Sequence, residues 1–361
     1  MKLMPGTGEK VSGKEPHTAQ FMLKRWGLRS WRLWIGTVFS VGFLWLALRG
    51  VDLMETANVL RQVNVLLLGA AVTSYILSTV AKAARWQVLL AARKVPSFGR
   101  AFSVLSVGVM LNTFLPVRLG DVARAYLMGE SEADSKVHIL GTVAVEKVTD
   151  LLFLLLSLMV LFSQIALPEW LSGSARGMAL VLAILVPCFM LLVWRRAFIL
   201  RMVEWTIRFF PSVWQEWLLR QTRLGLSSLD IVRQPRLIIG LFGWSLIIWI
   251  IGTLTNALVF LALGLAVPLW ASLLLLVVLQ VGTAVPSSPG RIGVFQYLVI
   301  LTLSIIAMDK NVTLGYSLVL YLVIFVPIVL IGGYCLWHER VTWQKLAEAA
   351  AMLNRLGKRT R

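Results

Sequence analysis

The chain has 361 residues, of which 58% are hydrophobic and only 14% charged, with a mean hydropathy of +0.80. Soluble domains carry about 25% charged residues, so this composition excludes a soluble globular enzyme, a disordered chain and a disulfide scaffold. The 35 Lys and Arg against 17 Asp and Glu leave a net charge of +18, which in so apolar a chain reads as basic loops facing anionic headgroups rather than as nucleic-acid binding.

In chain order, residues 1–32 form a basic segment with no apolar core. The run 33–48 is long enough to enter a bilayer, ends without a small-residue cleavage site and is followed at once by Arg49, so it reads as an anchor rather than a cleaved signal. Further spans are expected at 63–81, 137–165, 178–194, 237–262 and 312–336, six in all. Two other apolar segments, 101–117 and 270–307, are broken by Pro and Gly, the first within LNTFLPVRLGD and the second within AVPSSPGRIGVFQ. Broken backbone at membrane depth is tolerated only where it is buried in protein or lines a wet cavity, so both are expected to be re-entrant. The chain then divides into a cytoplasmic segment (1–32), a first membrane half (33–194), an interfacial linker (195–236), a second half (237–336) and a basic tail (337–361). The linker carries eight Arg with Trp205, Trp214 and Trp217, a composition that lies in the headgroup plane. The tail from Val341 to Leu356 has the pattern of a short amphipathic helix.

Charge fixes the expected orientation. With both broken segments re-entrant, most Lys and Arg fall in 1–32, 82–100, 118–136, 195–236 and 337–361, all on one side. Only Arg49, Arg61, Arg176 and Lys310 fall on the other. The positive-inside rule then puts both termini in the cytoplasm. The absence of a disulfide framework and the low acidic content suit a bacterial inner membrane. Cys188 and Cys335 sit in apolar runs, and His17, His138 and His338 lack metal-ligand spacing, so no cofactor or metal is expected.

The broken segments share a pattern. One reads Pro116-Val117-Arg118-Leu119-Gly120 and the other Pro289-Gly290-Arg291-Ile292-Gly293. Each follows one span and precedes another, and the two triplets are expected to have opposite orientations. That is the layout of an inverted-repeat transporter with its substrate between broken helices at mid-membrane.

Charges inside the membrane mark candidate sites. They are Arg118 with Asp121 and Arg124, then Glu146 with Lys147 and Asp150, then Arg291, together with the polar residues Asn112, Thr113, Ser287, Ser288 and Gln296. Glu146 and Asp150 are four apart and share a helix face, so cations must sit opposite, and Arg118, Arg124 and Arg291 are the candidates. A paired interior network and a site for an anionic group are both open. Arginine forks and freed helix N-termini suit phosphate, which makes Asn112, Arg118, Asp121, Arg124, Glu146, Asp150, Ser287, Ser288 and Arg291 the candidate substrate-binding set. Proton coupling through Glu146 or Asp150 is a weaker alternative.

At these motifs the chain resembles the flippase-like transmembrane domain of lysylphosphatidylglycerol synthases, which also occurs as a stand-alone protein. The residues that carry the resemblance are Arg85-Trp86 with Leu89-Leu90, then Asn112, Leu115-Pro116, Arg118, Gly120-Asp121 and Arg124, then Glu146 with Asp150-Leu151-Leu152, then Pro286-Ser287-Ser288-Pro289-Gly290 with Gly293-Val294. The resemblance spans about residues 30–340. It implies an all-helical membrane fold with two re-entrant elements that handles anionic phospholipid or polyprenyl-phosphate-linked lipid, in the company of lipid-biosynthesis enzymes. The chain departs from the family pattern at Val117, where Gly is usual, and at Asp121 and Gln296, where Glu is usual. Few residues follow the last span, so the soluble aminoacyl-transferring domain is absent and lipid aminoacylation is not expected.

The leading expectation is a flippase or scramblase. No G-x-x-x-x-G-K-[ST] nucleotide motif is present, so gradients or downstream consumption would drive it. The alternatives are an integral-membrane glycosyltransferase, for which Asp52 and Glu55 are the candidate acids, a small-solute carrier on the same plan, and a non-transporting docking partner.

Overall fold

The computed structural model describes residues 31–93, 95–115, 119–131, 135–164, 234–282 and 289–339, with a few isolated positions between 201 and 231. The expected span 178–194, nearly all of the linker 195–236, the segment 1–30 and the amphipathic tail lie outside the described residues. Every regular element described is helical: α1 (Trp31–Leu48), α2 (Leu53–Arg61), α3 (Val65–Leu90), α4 (Phe98–Phe114), α5 (Leu119–Ser131), α6 (Lys136–Gln164), α7 (Pro235–Ala262), α8 (Leu269–Gly282), α9 (Val294–Leu303) and α10 (Lys310–His338), with a 3-10 turn at Pro289–Arg291 before α9. Among the described residues four stretches are long and apolar enough to cross a membrane: Val65–Leu90, Pro235–Ala262, Pro289–Ile306 and Lys310–His338. The chain is an all-α membrane protein.

Local signals set the helix starts. The Asn64 side chain accepts from the amides of Leu66 and Leu67 at 3.0 and 3.2 Å. Asp309 does the same for Asn311 and Val312, and Ser97 for Arg100. Each satisfies amides that a helix N-terminus leaves unpaired. Pro235 opens α7, where its fixed φ and missing N–H are no handicap.

The most extensive pairing in the molecule joins α3 to α7. A stripe on α3 at helical spacing, Ala71, Ser74, Ser78 and Ala81, is buried, and small residues let membrane helices approach closely. The two helices run antiparallel over their whole length. The Asn64 amide donates to the Ala262 carbonyl at 2.7 Å, Ser74 Oγ lies 2.9 Å from Thr255 Oγ1, and a Cβ on Gly240 would stand 3.4 Å from Val88.

The other contacts come in matched sets. α3 packs on α4 as α7 packs on α8; α5 packs on α6 as α9 packs on α10; α4 packs on α10 as α8 packs on α6. The segment α3–α6 and the segment α7–α10 are therefore two similarly packed triplets, each a long helix, a broken hairpin and a long helix. α1 covers α9, and α2 covers the start of α10. One buried core gathers Trp86, Leu105, Met128 and Ile139 around the first hairpin. A second gathers Phe260, Leu275, Leu303 and Tyr316 around the second hairpin.

The structure corrects two sequence-based boundaries. The span expected at 63–81 continues as helix to Leu90, so Lys82 and Arg85 belong to α3 and not to a loop. The loop expected at 118–136 contains α5, whose residues 122–129 are all buried. In both places charged residues signalled solvent in the sequence, and in the fold they are held by partners.

Candidate functional site

The first hairpin is built for close approach. A Cβ on Gly120 would lie 1.9 Å from the Gly108 carbonyl oxygen, so α4 and α5 meet backbone to backbone. A Cβ on Gly108 would lie 2.3 Å from Cγ of Arg124. The arginine stem therefore crosses the space a larger residue would fill and carries its guanidinium inward.

There it meets a buried ion network. Arg124 Nη2 donates to Glu146 Oε2 at 2.8 Å, and Arg124 lies 3.8 Å from Asp121. Its guanidinium carbon is 4.2 Å from the centre of the Trp86 ring, a cation–π contact. Arg85 Nη1 donates to Asp150 Oδ1 at 2.6 Å and to Ser245 Oγ at 3.2 Å, while Nη2 lies 3.5 Å from Glu146 Oε1. Lys147 stands 4.0 Å from Glu146. Asn112 donates to Asp121 at 3.0 Å, and Trp86 Nε1 donates to Thr142 at 3.4 Å. The network ties α3, α4, α5, α6 and α7 together. Arg85 and Arg124 are each only 2% exposed, so both cations are desolvated and depend on their carboxylates.

The second hairpin tip has a different construction. Gly290, Arg291 and Gly293 all have positive φ, at 77°, 58° and 87°. Gly293 is required twice over, because a Cβ there would also stand 2.2 Å from the Ser40 carbonyl oxygen of α1. Its amide donates to Gln296 Oε1 at 2.7 Å, a bond that a Glu in that place would accept equally. Arg291, without glycine's freedom, holds a strained conformation costing about 1–3 kcal/mol. Tyr321 of α10 donates to the Gly290 carbonyl at 2.9 Å.

The two tips converge. The turn Pro289–Arg291 touches α4. Phe114, at the end of α4, packs edge-on to Phe325 at 5.6 Å, and Phe325 stacks on Tyr321 at 4.9 Å. The end of α4 at Phe114 and the Pro289–Arg291 turn thus meet at one place on α10, around Tyr321 and Phe325.

Of the sequence-based candidates, the fold brings Asn112, Asp121, Arg124, Glu146 and Asp150 into one network. Arg291 stands apart at the second tip, and Arg118, Ser287 and Ser288 lie outside the described residues. Among the described residues Asp150 pairs with Arg85, which the sequence had not put forward as its partner. The sequence reading also passed over Trp86, Lys82 and Ser245; the Arg85-Trp86 pair was visible only as part of the family resemblance. Asp52 caps α2, and Glu55 accepts from Asn311 at 2.6 Å, so both acids join α2 to the start of α10. Among the described residues no three His, Cys, Asp or Glu side chains converge to hold a metal ion.

The chain matches the family described as lysylphosphatidylglycerol synthase TM region over residues 33–332. It belongs to that family. A relative, UPF0104 membrane protein MJ1078 of Methanocaldococcus jannaschii, is 25% identical over 229 residues, which is 62% of this chain and 92% of the archaeal protein. No solved structure matches. The family match takes in both hairpins and the whole of the ion network, so the site described above belongs to the family's membrane region, and the protein is an integral membrane protein.

Proposed function

We propose that the protein moves an anionic lipid or lipid-linked intermediate between leaflets, as a flippase or scramblase. The observation that carries this reading is the pair of antiparallel triplets whose broken hairpins converge on Tyr321 and Phe325. Transporters built as inverted repeats place substrate at such a junction, and the two halves rock about it. Pro289–Ile306 is long and apolar enough to cross, but at 1.5 Å per residue the other hairpin helices α4, α5 and α8 are about 26, 20 and 21 Å long, each shorter than the ~30 Å hydrocarbon core. That suits re-entrant elements entered from opposite sides, with both termini in the cytoplasm of a bacterial cell.

In this reading the headgroup phosphate meets cations at the tips, Arg291 among those described and Arg118 by sequence symmetry, while Asn112, Ser287 and Ser288 supply neutral hydrogen bonds. Arg124 and Glu146 hold the first hairpin rather than the substrate, because they are already paired with each other at 2.8 Å. The acyl or prenyl tail stays in lipid, and the chain performs no covalent chemistry.

The test is reconstitution in vesicles with fluorescent phosphatidylglycerol and phosphatidylcholine, followed by outer-leaflet quenching. Faster movement of the anionic lipid, lost in Arg118→Ala/Arg291→Ala, is the expected result. Movement that is unchanged in the double variant sinks the tip-arginine mechanism, and no movement of phospholipid or polyprenyl phosphate above empty vesicles sinks the transport reading.

A further inference from the structure

Lys82 is the cation that the network leaves over. Arg85, Arg124 and Lys147 stand within 4.0 Å of Asp121, Glu146 and Asp150, three cations against three acids. Lys82 is half-buried on the same helix as Arg85, yet among the described residues its ammonium makes neither a hydrogen bond nor an ion pair. Its close contact is the face of Tyr75, with Nζ 5.9 Å from the ring centre.

The direction of the side chain matters. Lys82 lies eight residues, or about 12 Å, before the C-terminal end of α3. A lysine that merely escapes the membrane would snorkel toward that nearer end. Lys82 points the other way, toward Tyr75 two turns earlier, as helical side chains lean. Tyr75 in turn packs against the core around the second hairpin, so the Lys82 side chain lies between that core and the Arg85–Asp150 pair one turn further along α3.

We infer that Lys82 is a phosphate-binding residue: its ammonium, seated over Tyr75, takes the phosphate oxyanion of the transported amphiphile between the second hairpin tip and the Arg85–Asp150 pair. Among the described residues Lys82 has no acid within pairing distance, and a phosphodiester supplies one negative charge. This rests on the transport reading above and adds to it the residue that receives the headgroup. Asp150, 27% exposed at its side chain, is the acid that Lys82 faces when the ligand leaves.

The experiment uses the full-length protein in detergent, titrated calorimetrically with dihexanoyl phosphatidylglycerol, dihexanoyl phosphatidylcholine and inorganic phosphate. Wild type is expected to bind the phosphatidylglycerol saturably. Lys82→Gln should bind it about tenfold more weakly or worse, and Lys82→Arg nearly as well as wild type, as loss and retention of a charge-assisted contact predict. Competition by inorganic phosphate identifies the oxyanion alone as what is read; its failure to compete, with phosphatidylglycerol still dependent on Lys82, identifies the lipid headgroup. A second readout needs no variant: bound phosphatidylglycerol should protect Lys82 of the wild-type protein from amine acylation, scored by peptide mass spectrometry. Equal binding by Lys82→Gln, or acylation of Lys82 that the lipid does not slow, overturns the inference. Vesicles separate it from the reading it rests on. Wild-type lipid movement that Lys82→Gln preserves refutes only the role of Lys82, whereas a wild type that neither binds nor moves lipid refutes both.

Discussion

Removing both members of the Arg124–Glu146 pair should cost well under the sum of removing each alone. Glu146 is the shared acid of the network, 2.8 Å from Arg124 and 3.5 Å from Arg85. Replacing it with Leu leaves Arg124, 2% exposed, with only Asp121 at 3.8 Å. A buried charge stripped of its partner costs about 3–5 kcal/mol. Arg124→Met is milder, because Glu146 keeps Arg85 and Lys147; we expect about 2–3 kcal/mol, including the cation–π contact with Trp86. In Arg124→Met/Glu146→Leu the buried Arg124 guanidinium is not left orphaned, so the double variant should cost well under the sum of the singles. The coupling should reach about 2–3 kcal/mol. Neutral hydrogen bonds between membrane helices average about 0.6 kcal/mol by the same cycle, so the figure separates an ion pair from an ordinary contact. The assay is reversible unfolding of purified protein in mixed micelles with increasing dodecyl sulfate. Single variants that cost under about 1 kcal/mol, or a double variant additive within about 0.5 kcal/mol, would refute the assignment of these residues to a buried structural network.

Three further outcomes follow from the geometry. Gly120→Ala drives a methyl group to within 1.9 Å of the Gly108 carbonyl, and since backbone cannot yield as a side chain can, it should destabilise by about 1–3 kcal/mol or more, seen as a lower sulfate midpoint. Gly293→Ala combines a positive φ with a clash on α1, whereas Gly50→Ala has the positive φ and open space; the second should cost about 1 kcal/mol and the first several-fold more, and equal costs would show that α1 does not press on the second tip. Single cysteines placed at exposed Met54 and Val95, with Cys188 and Cys335 replaced by Ser, should react with impermeant maleimide from opposite faces of oriented vesicles; labelling from one face would overturn the crossing of the membrane by α3.

Periodicity and apolar length made the long helices legible, and the Pro and Gly repeats located both hairpin tips. The hidden part was wherever charge is buried. Arg85 and Lys82 ended the expected span 63–81 nine residues early, and Asp121 and Arg124 turned α5 into an expected loop, because in a single sequence a buried charge is indistinguishable from a solvated one until its partner is placed. Glu146 and Asp150 were recognised as needing cations, since they share a helix face. Which cations answer them depends on the α3–α6 contact, 61 and 65 residues away in the chain, and no local pattern encodes it. The pairing of α3 with α7 was equally invisible. Its stripe of Ala and Ser at helical spacing looks like any small-residue face until the partner helix is known.

The two triplets share a plan but differ in what fastens them, and that difference predicts which half moves. In the first, Arg85 and Arg124 bolt the hairpin and α6 to α3 through ion pairs. In the second, the comparable place on α7 holds Asn256, which donates to the Ser272 carbonyl of α8 at 3.0 Å and accepts from Tyr316 of α10 at 3.1 Å. These are neutral bonds, worth about 1 kcal/mol each. The second tip also carries three residues of positive φ, and α9 has only ten residues. Local opening is cheapest where fastening is weakest, so the second hairpin should swing while the first stays fixed to α3. Hydrogen exchange in nanodiscs tests this directly: amides of α8 and α9 should exchange faster than those of α4 and α5, and anionic lipid should slow the former more than the latter. Faster exchange in α4–α5 would reverse the assignment and make the ion network, rather than the Gly293 tip, the moving part.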